Sequence, residues 1–187
     1  MIKIGVIGAG QLGSIHIKLL KALADFELVG FYEIDGRKSR AMKQEYEVVP
    51  FESAEELAED CDALVIASPT QTHADYALQF IRQFKHVFIE KPVTADPDDA
   101  KRLMKLVKEA EVVAQVGHVE RFNPAYLAAV DYGLKPKLID VQRLIPWTEQ
   151  GDEVSVVYDL MIHDIDLVLK TVEANVKRIS ANGVSVV

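Results

Sequence analysis

Thiol chemistry is almost absent from this sequence. Cys61 is the only cysteine among 187 residues, so the chain forms no internal disulfide and no cysteine-rich metal site. A reducing compartment is the simplest match. Long apolar runs are missing as well, and none approaches the ~20 residues that cross a bilayer. The opening Met1-Ile2-Lys3-Ile4-Gly5 goes straight into a strand pattern, without the basic region, apolar core and cleavage site of a signal peptide. A cytoplasmic protein with no membrane partner is expected. Basic runs are scarce: 21 Lys and Arg stand against 29 Asp and Glu, for a net charge of −8, and Arg37-Lys38-Ser39-Arg40 is the densest cluster. A nucleic-acid partner is therefore not expected. An anionic cofactor remains open, because local backbone N–H groups can outweigh the net field. The five histidines, at 16, 73, 86, 118 and 163, fall on different elements without zinc-site spacing, so no metal is expected. Repeats and low-complexity segments are also lacking.

What is present suits a folded globular protein. Hydrophobic residues make up 49% and charged residues 27%, too apolar for disorder. The length fits one domain, or one domain and part of another.

Strand-like and helix-like segments alternate through the first two thirds. Strands are expected at 2–7, 27–32, 48–49, 62–67, 86–89 and 112–116. Helices are expected at 11–24, 37–46, 54–59, about 72–84 and from Pro97 onward. In 11–24, Leu12, Ile15, Leu19 and Leu23 recur at helical spacing, and after Asp96 so do Ala100, Leu103, Met104 and Val107. Ser53 with Glu56 forms a capping box, and Asp96 caps a helix that has Pro97 at its first position. Six strands separated by helices match a doubly wound parallel α/β sheet of the Rossmann type, with right-handed crossovers.

A boundary near Gly117 divides a dinucleotide-binding domain, 1–118, from a second unit, 119–187. In the second unit, helices are expected at 123–132 and 156–172, and strands at 137–145 and 176–187. This reads as the start of an incomplete α+β domain. Because the sequence stops inside a strand pattern, the chain is expected to be part of a longer protein.

Gly8-Ala9-Gly10-Gln11-Leu12-Gly13 is G-x-G-x-x-G between a strand and a helix, the context that makes the motif specific. Gly8 permits the tight turn, Gly10 clears space for a pyrophosphate, and Gly13 lets helix and strand approach. The helix start offers N–H groups and partial positive charge. Glu33, about 20 residues past Gly13, is placed to bind ribose hydroxyls and repel a 2′-phosphate, which favours NAD. Arg37 and Lys38 stand close enough in sequence to reach a phosphate, so NADP stays open.

Three further clusters follow strand ends, where open parallel sheets bind ligands. They are Ser68-Pro69-Thr70-Gln71-Thr72-His73, Glu90-Lys91-Pro92, and Gly117-His118-Val119-Glu120-Arg121-Phe122-Asn123-Pro124. A fourth, Asp159-Leu160-Met161-Ile162-His163, places an acid and an imidazole four apart on one helix face.

Together these segments resemble the glucose–fructose oxidoreductase / inositol dehydrogenase (Gfo/Idh/MocA) family across essentially the whole chain. Within that family the pattern looks most like members acting on nucleotide sugars such as UDP-N-acetylglucosamine. Met161 departs from members with glycine there. The resemblance implies hydride transfer between nicotinamide and a sugar CH–OH group. It implies Lys91 as the group that binds and polarises the hydroxyl, after a strand and before a cis Pro92, and His163 as the general acid/base, with Asp159 beside it. Cofactor contacts are implied for Gly8, Gly10, Gln11, Leu12, Gly13, Glu33, Ser68, Pro69, Thr70, His73, Glu90 and Lys91, with Gln71 near the nicotinamide. Substrate contacts are implied for Lys91, Arg121, Arg143, Asp159 and His163. His16 would support the pyrophosphate loop from behind, and Asp164 and Asp166 would be solvated or hydrogen-bonded supports. Arg121 has a second reading, an ion pair in the domain interface; Arg143 and Trp147 have one in strand packing, and His73 one as a satisfied helix-start residue. The full-length form would be a dimer or tetramer. The alternatives are a cofactor-binding module without catalysis and, less favoured, a Rossmann reductase of a cyclic imine or bilin.

Overall fold

The computed structural model describes residues 1–133, 135–144, 146, 155–172 and 174–184. The chain divides into two compact units, Met1–His118 and Val119–Val187. In the first, elements alternate: β1 (Ile2–Ile7), α1 (Gln11–Ala22), β2 (Phe26–Tyr32), α2 (Gly36–Tyr46), α3 (Ala54–Glu59), β3 (Ala63–Ile66), α4 (Thr70–Arg82), β4 (His86–Ile89), α5 (Pro97–Ala110) and β5 (Ala114–Val116). The strands form one parallel sheet in the order β2-β1-β3-β4-β5. The strand order reverses beside β1, and the crevice above such a switch point is where doubly wound sheets bind ligands.

The expected third strand at 48–49 shrinks to a single bridge between Phe31 and Pro50. Pro50 has no N–H, so the ladder cannot extend through it. The flanking backbone still pairs: Phe31 N donates to Val49 O and Phe51 N donates to Phe31 O. The sheet therefore has five strands and one bridged edge, not six strands.

Both sheet faces are covered, which is why the strands are apolar without alternation. Successive side chains point to opposite faces. Val6 and Val65 join Ile17, Leu20, Phe31 and Met42 under α1 and α2. Ile7, Leu64 and Ile66 join Leu57, Phe80, Ile81 and Leu103 under α3, α4 and α5.

One helix is rotated from its expected face, and another departs from it at a single residue. On α1 the buried residues are Gly13, Ile17 and Leu20, while Leu12, Ile15, Leu19 and Leu23 stand outside, 42–55% exposed. Gly13 decides this: a Cβ there would lie 1.9 Å from Gly8 O, so this position faces the strand and carries 17 and 20 inward with it. On α5 Leu103 is buried, with Leu106, Val107 and Ala110 packed on the core, and Met104 points to solvent. Ser53 and Asp96 accept from first-turn N–H groups as expected, and Asp35 does the same for α2. The Glu56 carboxylate returns to Glu52 N and not to Ser53.

The second unit contains a 3-10 turn at Val119–Phe122, α6 (Pro124–Val130) capped by Asn123, and a π-helical turn at Val157–Met161 leading into α7 (Ile162–Thr171). Residues 137–144 and 176–184 are not strands, contrary to the expectation. A β-prone segment becomes a strand only beside a hydrogen-bonding neighbour, and the described residues of this unit supply none. Residues 145 and 185–187 of those expectations, and Trp147, lie outside the described residues. Among the described residues, no helix is long and apolar enough to cross a membrane.

Candidate functional site

The glycine turn is built where β1 meets α1. Gly8 has φ +93°, and a Cβ there would lie 2.7 Å from Ala67 O, so only glycine fits this turn beside β3. Around Gly10 the space is open, with nothing within 4 Å of where a Cβ would be. α1 starts at Gly10 without a side-chain cap, and its first intrahelical bond runs from Ser14 N to Gly10 O. The N–H groups of Gln11, Leu12 and Gly13 are thus left to another acceptor. α4, which starts after Pro69, also has no side-chain cap, whereas α2, α3 and α5 are capped. Within the first unit the two uncapped starts are those that follow β1 and β3, which are neighbours in the sheet.

Glu33, half-buried just past β2, reaches back over this turn. Its Oε2 accepts from Ala9 N at 2.7 Å and its Oε1 from Asp35 N at 3.0 Å. Two backbone bonds fix the carboxylate, and a carboxylate has further lone pairs for ribose hydroxyls. Asp35 accepts from Arg37 N and Lys38 N, and these bonds hold its carboxyl below the ordinary range. Open space at Gly10, uncapped amides and a fixed acid fit a dinucleotide.

Beside this cradle lie the ends of β3 and β4. Ser68 Oγ and Thr72 Oγ1 are 2.7 Å apart, and Thr72 Oγ1 donates to Pro69 O. Thr70 opens α4, half-buried, and Gln71 is exposed. His73 is only 1% exposed, and its ring sits between two carbonyls: Nδ1 is 2.9 Å from Pro92 O and Nε2 is 2.8 Å from Ser68 O. Its burial and both contacts leave it joining two turns from behind. The Lys91–Pro92 bond is cis.

Glu90 is 5% exposed and accepts from His16 Nε2 at 2.7 Å and from Lys91 N at 3.2 Å. Burial pushes its carboxyl up, but the bond and charge of His16, with the amide and charge of Lys91, outweigh burial and hold it below the ordinary value. Ionised Glu90 therefore stabilises the fold fully above the usual glutamate range, ~4.3, and that stabilisation is lost as pH falls through the lower folded value. Glu90→Gln is expected to cost about 1–3 kcal/mol at neutral pH and to flatten the acid limb. Denaturant titrations of both proteins between neutral and acid pH check this; parallel acid limbs would contradict it.

In the second unit both candidate substrate arginines are engaged. Arg121 donates through Nε and Nη2 to Asp166, at 2.7 and 2.6 Å, and Arg143 likewise to Asp164, at 2.8 and 2.7 Å. Bidentate bonding by Asp164 and Asp166 raises the two guanidinium groups above their ordinary value, and Arg143 lowers Asp164. These forks pin the start of α7, which carries half-buried His163, to chain segments on either side of α6. Asp159 lies in the preceding π-helical turn, a local widening frequent at functional sites. Lys91 belongs to the first unit, and Asp159 and His163 to the second. Among the described residues no group of three or more His, Cys, Asp or Glu is placed to hold a metal.

Residues 2–118 match the profile of the oxidoreductase family with an NAD-binding Rossmann fold, GFO_IDH_MocA. The chain belongs to that family. Among the family's relatives, UDP-N-acetylglucosamine 3-dehydrogenase of Acidithiobacillus ferrooxidans is 33% identical over 185 residues, covering 98% of this chain and 58% of the relative. Inositol 2-dehydrogenase of Rhizobium meliloti is 31% identical, covering 89% and 53%. A solved structure of the A. ferrooxidans dehydrogenase superposes with a TM-score of 0.87 at 32% identity, covering 92% of this chain and 55% of that one. The chain thus spans somewhat over half the length of the family members it matches.

Two features of the site escaped the sequence reading. One is the bond from His16 to Glu90. Its signal was available, because His16 is three residues past Gly13 and so shares the inward face of α1. The other is the double contact of His73, which depends on the path of the Glu90-Lys91-Pro92 turn and has no local signature.

Proposed function

We propose that the whole protein is an NAD-dependent oxidoreductase that oxidises or reduces a CH–OH group of a sugar, with a nucleotide sugar of the UDP-N-acetylglucosamine type as the leading substrate class. The observation that carries this reading is the glycine turn, where uncapped amides of α1 and open space at Gly10 lie beside a Glu33 carboxylate bonded to Ala9 N. Gln11, Leu12 and Gly13 amides would hold the pyrophosphate, and Glu33 the adenosine ribose. Ser68, Pro69 and Thr70 would line the nicotinamide side, with Gln71 near them. When bound, the nicotinamide supplies the hydride acceptor or donor.

The chain's own residues supply binding and proton handling. Lys91 Nζ would bind the reacting hydroxyl oxygen and stabilise its developing negative charge. A ring nitrogen of His163 would take or return the hydroxyl proton, work that suits imidazole near neutral pH. Asp159 would face the substrate from the π-helical turn. Arg121 and Arg143 would act by holding α7 through Asp166 and Asp164, in line with their bidentate pairs. The full-length form is proposed to be a cytoplasmic dimer or tetramer.

The test is a screen of the full-length protein with NAD and sugars, UDP-N-acetylglucosamine and inositols among them, followed by absorbance of NADH. Turnover of a nucleotide sugar is expected. Tight NADH binding without turnover of any sugar would favour a cofactor-binding module instead.

A further inference from the structure

Lys91 is held through both of its chain neighbours. On one side, the Glu90 carboxylate accepts from His16 of α1. On the other, Pro92 O lies 2.9 Å from His73 Nδ1, on α4. The same ring reaches Ser68 O with Nε2 at 2.8 Å, so His73 joins the turn after β3 to the turn after β4.

The chemistry of this ring is constrained by its partners. A carbonyl oxygen only accepts hydrogen bonds, and a neutral imidazole has only one N–H. A neutral His73 would therefore press a ring lone pair against a carbonyl lone pair at hydrogen-bond distance. Hydrogen on both nitrogens satisfies both contacts at once, and charge-assisted bonds are the stronger kind. Burial and the start of α4 both disfavour a cation; two carbonyl dipoles aimed at the ring oppose these effects.

We propose that His73 carries hydrogen on both ring nitrogens and straps the backbone beyond Lys91, making it a positioning residue for the lysine amine. The role assigned to Lys91 rests on the functional reading above; the strap itself does not. His73 touches no reacting atom in this arrangement. It acts through Pro92, as His16 acts through Glu90.

Two measurements on the purified chain test the proposal, and neither needs turnover. Long-range proton–nitrogen correlation spectra of the 15N-labelled chain at neutral pH read the ring nitrogens, with His73→Phe and His73→Gln used for assignment. Two protonated-type nitrogens for His73 are expected; one protonated and one bare nitrogen would overturn the strap. Competitive acetylation read by mass spectrometry then compares Lys91 with Lys43 and Lys108 in the His73→Phe chain. A change of about threefold or more in the Lys91 rate, with the other two unchanged, is expected. An unchanged Lys91 rate in a folded variant would remove the positioning role. If His73→Phe does not fold, His73→Gln serves for labelling, and the spectrum of the unaltered chain decides the protonation. A full-length protein that passes both tests but oxidises no sugar would leave the strap standing and sink the catalytic reading of Lys91.

Discussion

Lys91→Met is expected to lower turnover of the full-length enzyme about a thousandfold or more while NADH affinity changes by less than about threefold. Methionine keeps the length and apolar stem of lysine and removes the ammonium. The backbone of the turn is fixed by groups other than the lysine side chain: His16 through Glu90, and His73 through Pro92. Loss of the Lys91 charge beside Glu90 should lower stability by only about 1 kcal/mol. An interaction made mainly as charge develops on the reacting oxygen is lost from turnover and not from cofactor binding. Steady-state kinetics with a nucleotide sugar and a parallel NADH titration read the two effects separately. Turnover close to that of the unaltered enzyme would remove Lys91 from the chemistry.

The second large effect comes from a pair of glycines three residues apart. Gly13→Ala is expected to destabilise the first unit by about 3 kcal/mol or more and to abolish measurable NADH binding. The added methyl would lie 1.9 Å from Gly8 O, and the obstructing atom is backbone of the cradle itself. α1 must tilt or slide, which moves the amides meant for the pyrophosphate. Gly10→Ala is the contrasting case. Nothing lies within 4 Å of the new methyl, and φ at Gly10 is −70°, which alanine adopts freely. Thermal unfolding should be nearly unchanged, while NADH affinity falls about tenfold or more, because the methyl occupies the approach of the pyrophosphate. Equal affinity of the Gly10→Ala and unaltered chains would place the ligand elsewhere.

The α/β alternation was readable because each strand is a short apolar run and each helix has a cap or a periodic stripe. Ser53 and Asp96 cap the helices they were expected to cap. What the sequence could not supply was any feature set by a distant partner. The inward face of α1 was misread because four leucines and isoleucines outnumber the true face. Contact between Gly13 and Gly8 O, not hydrophobicity, sets that helix's rotation. The segment at 48–49 has β-prone residues, but Pro50 ends its pairing after one bridge. Residues 137–144 and 176–184 have the composition of strands without a neighbour to pair with among the described residues.

The site shows the same division. Gly8, Gly10 and Gly13 announce themselves by spacing, and Glu33 by its distance from them. For Arg121 and Arg143 the sequence leaves substrate contact and a structural role open, because the aspartates that engage them are 45 and 21 residues away. Cys61 is inert on similar grounds: burial pushes its thiol up to about 12, so it offers no thiolate near neutral pH.

The most direct measurement is a fluorescence titration of the purified chain with NADH, and with NADPH beside it. Backbone amides of α1 and the Glu33 carboxylate predict saturable enhancement of NADH emission, with NADPH about tenfold weaker because its extra phosphate meets the acid. No enhancement from either nucleotide at about 1 mM would contradict the account at its root.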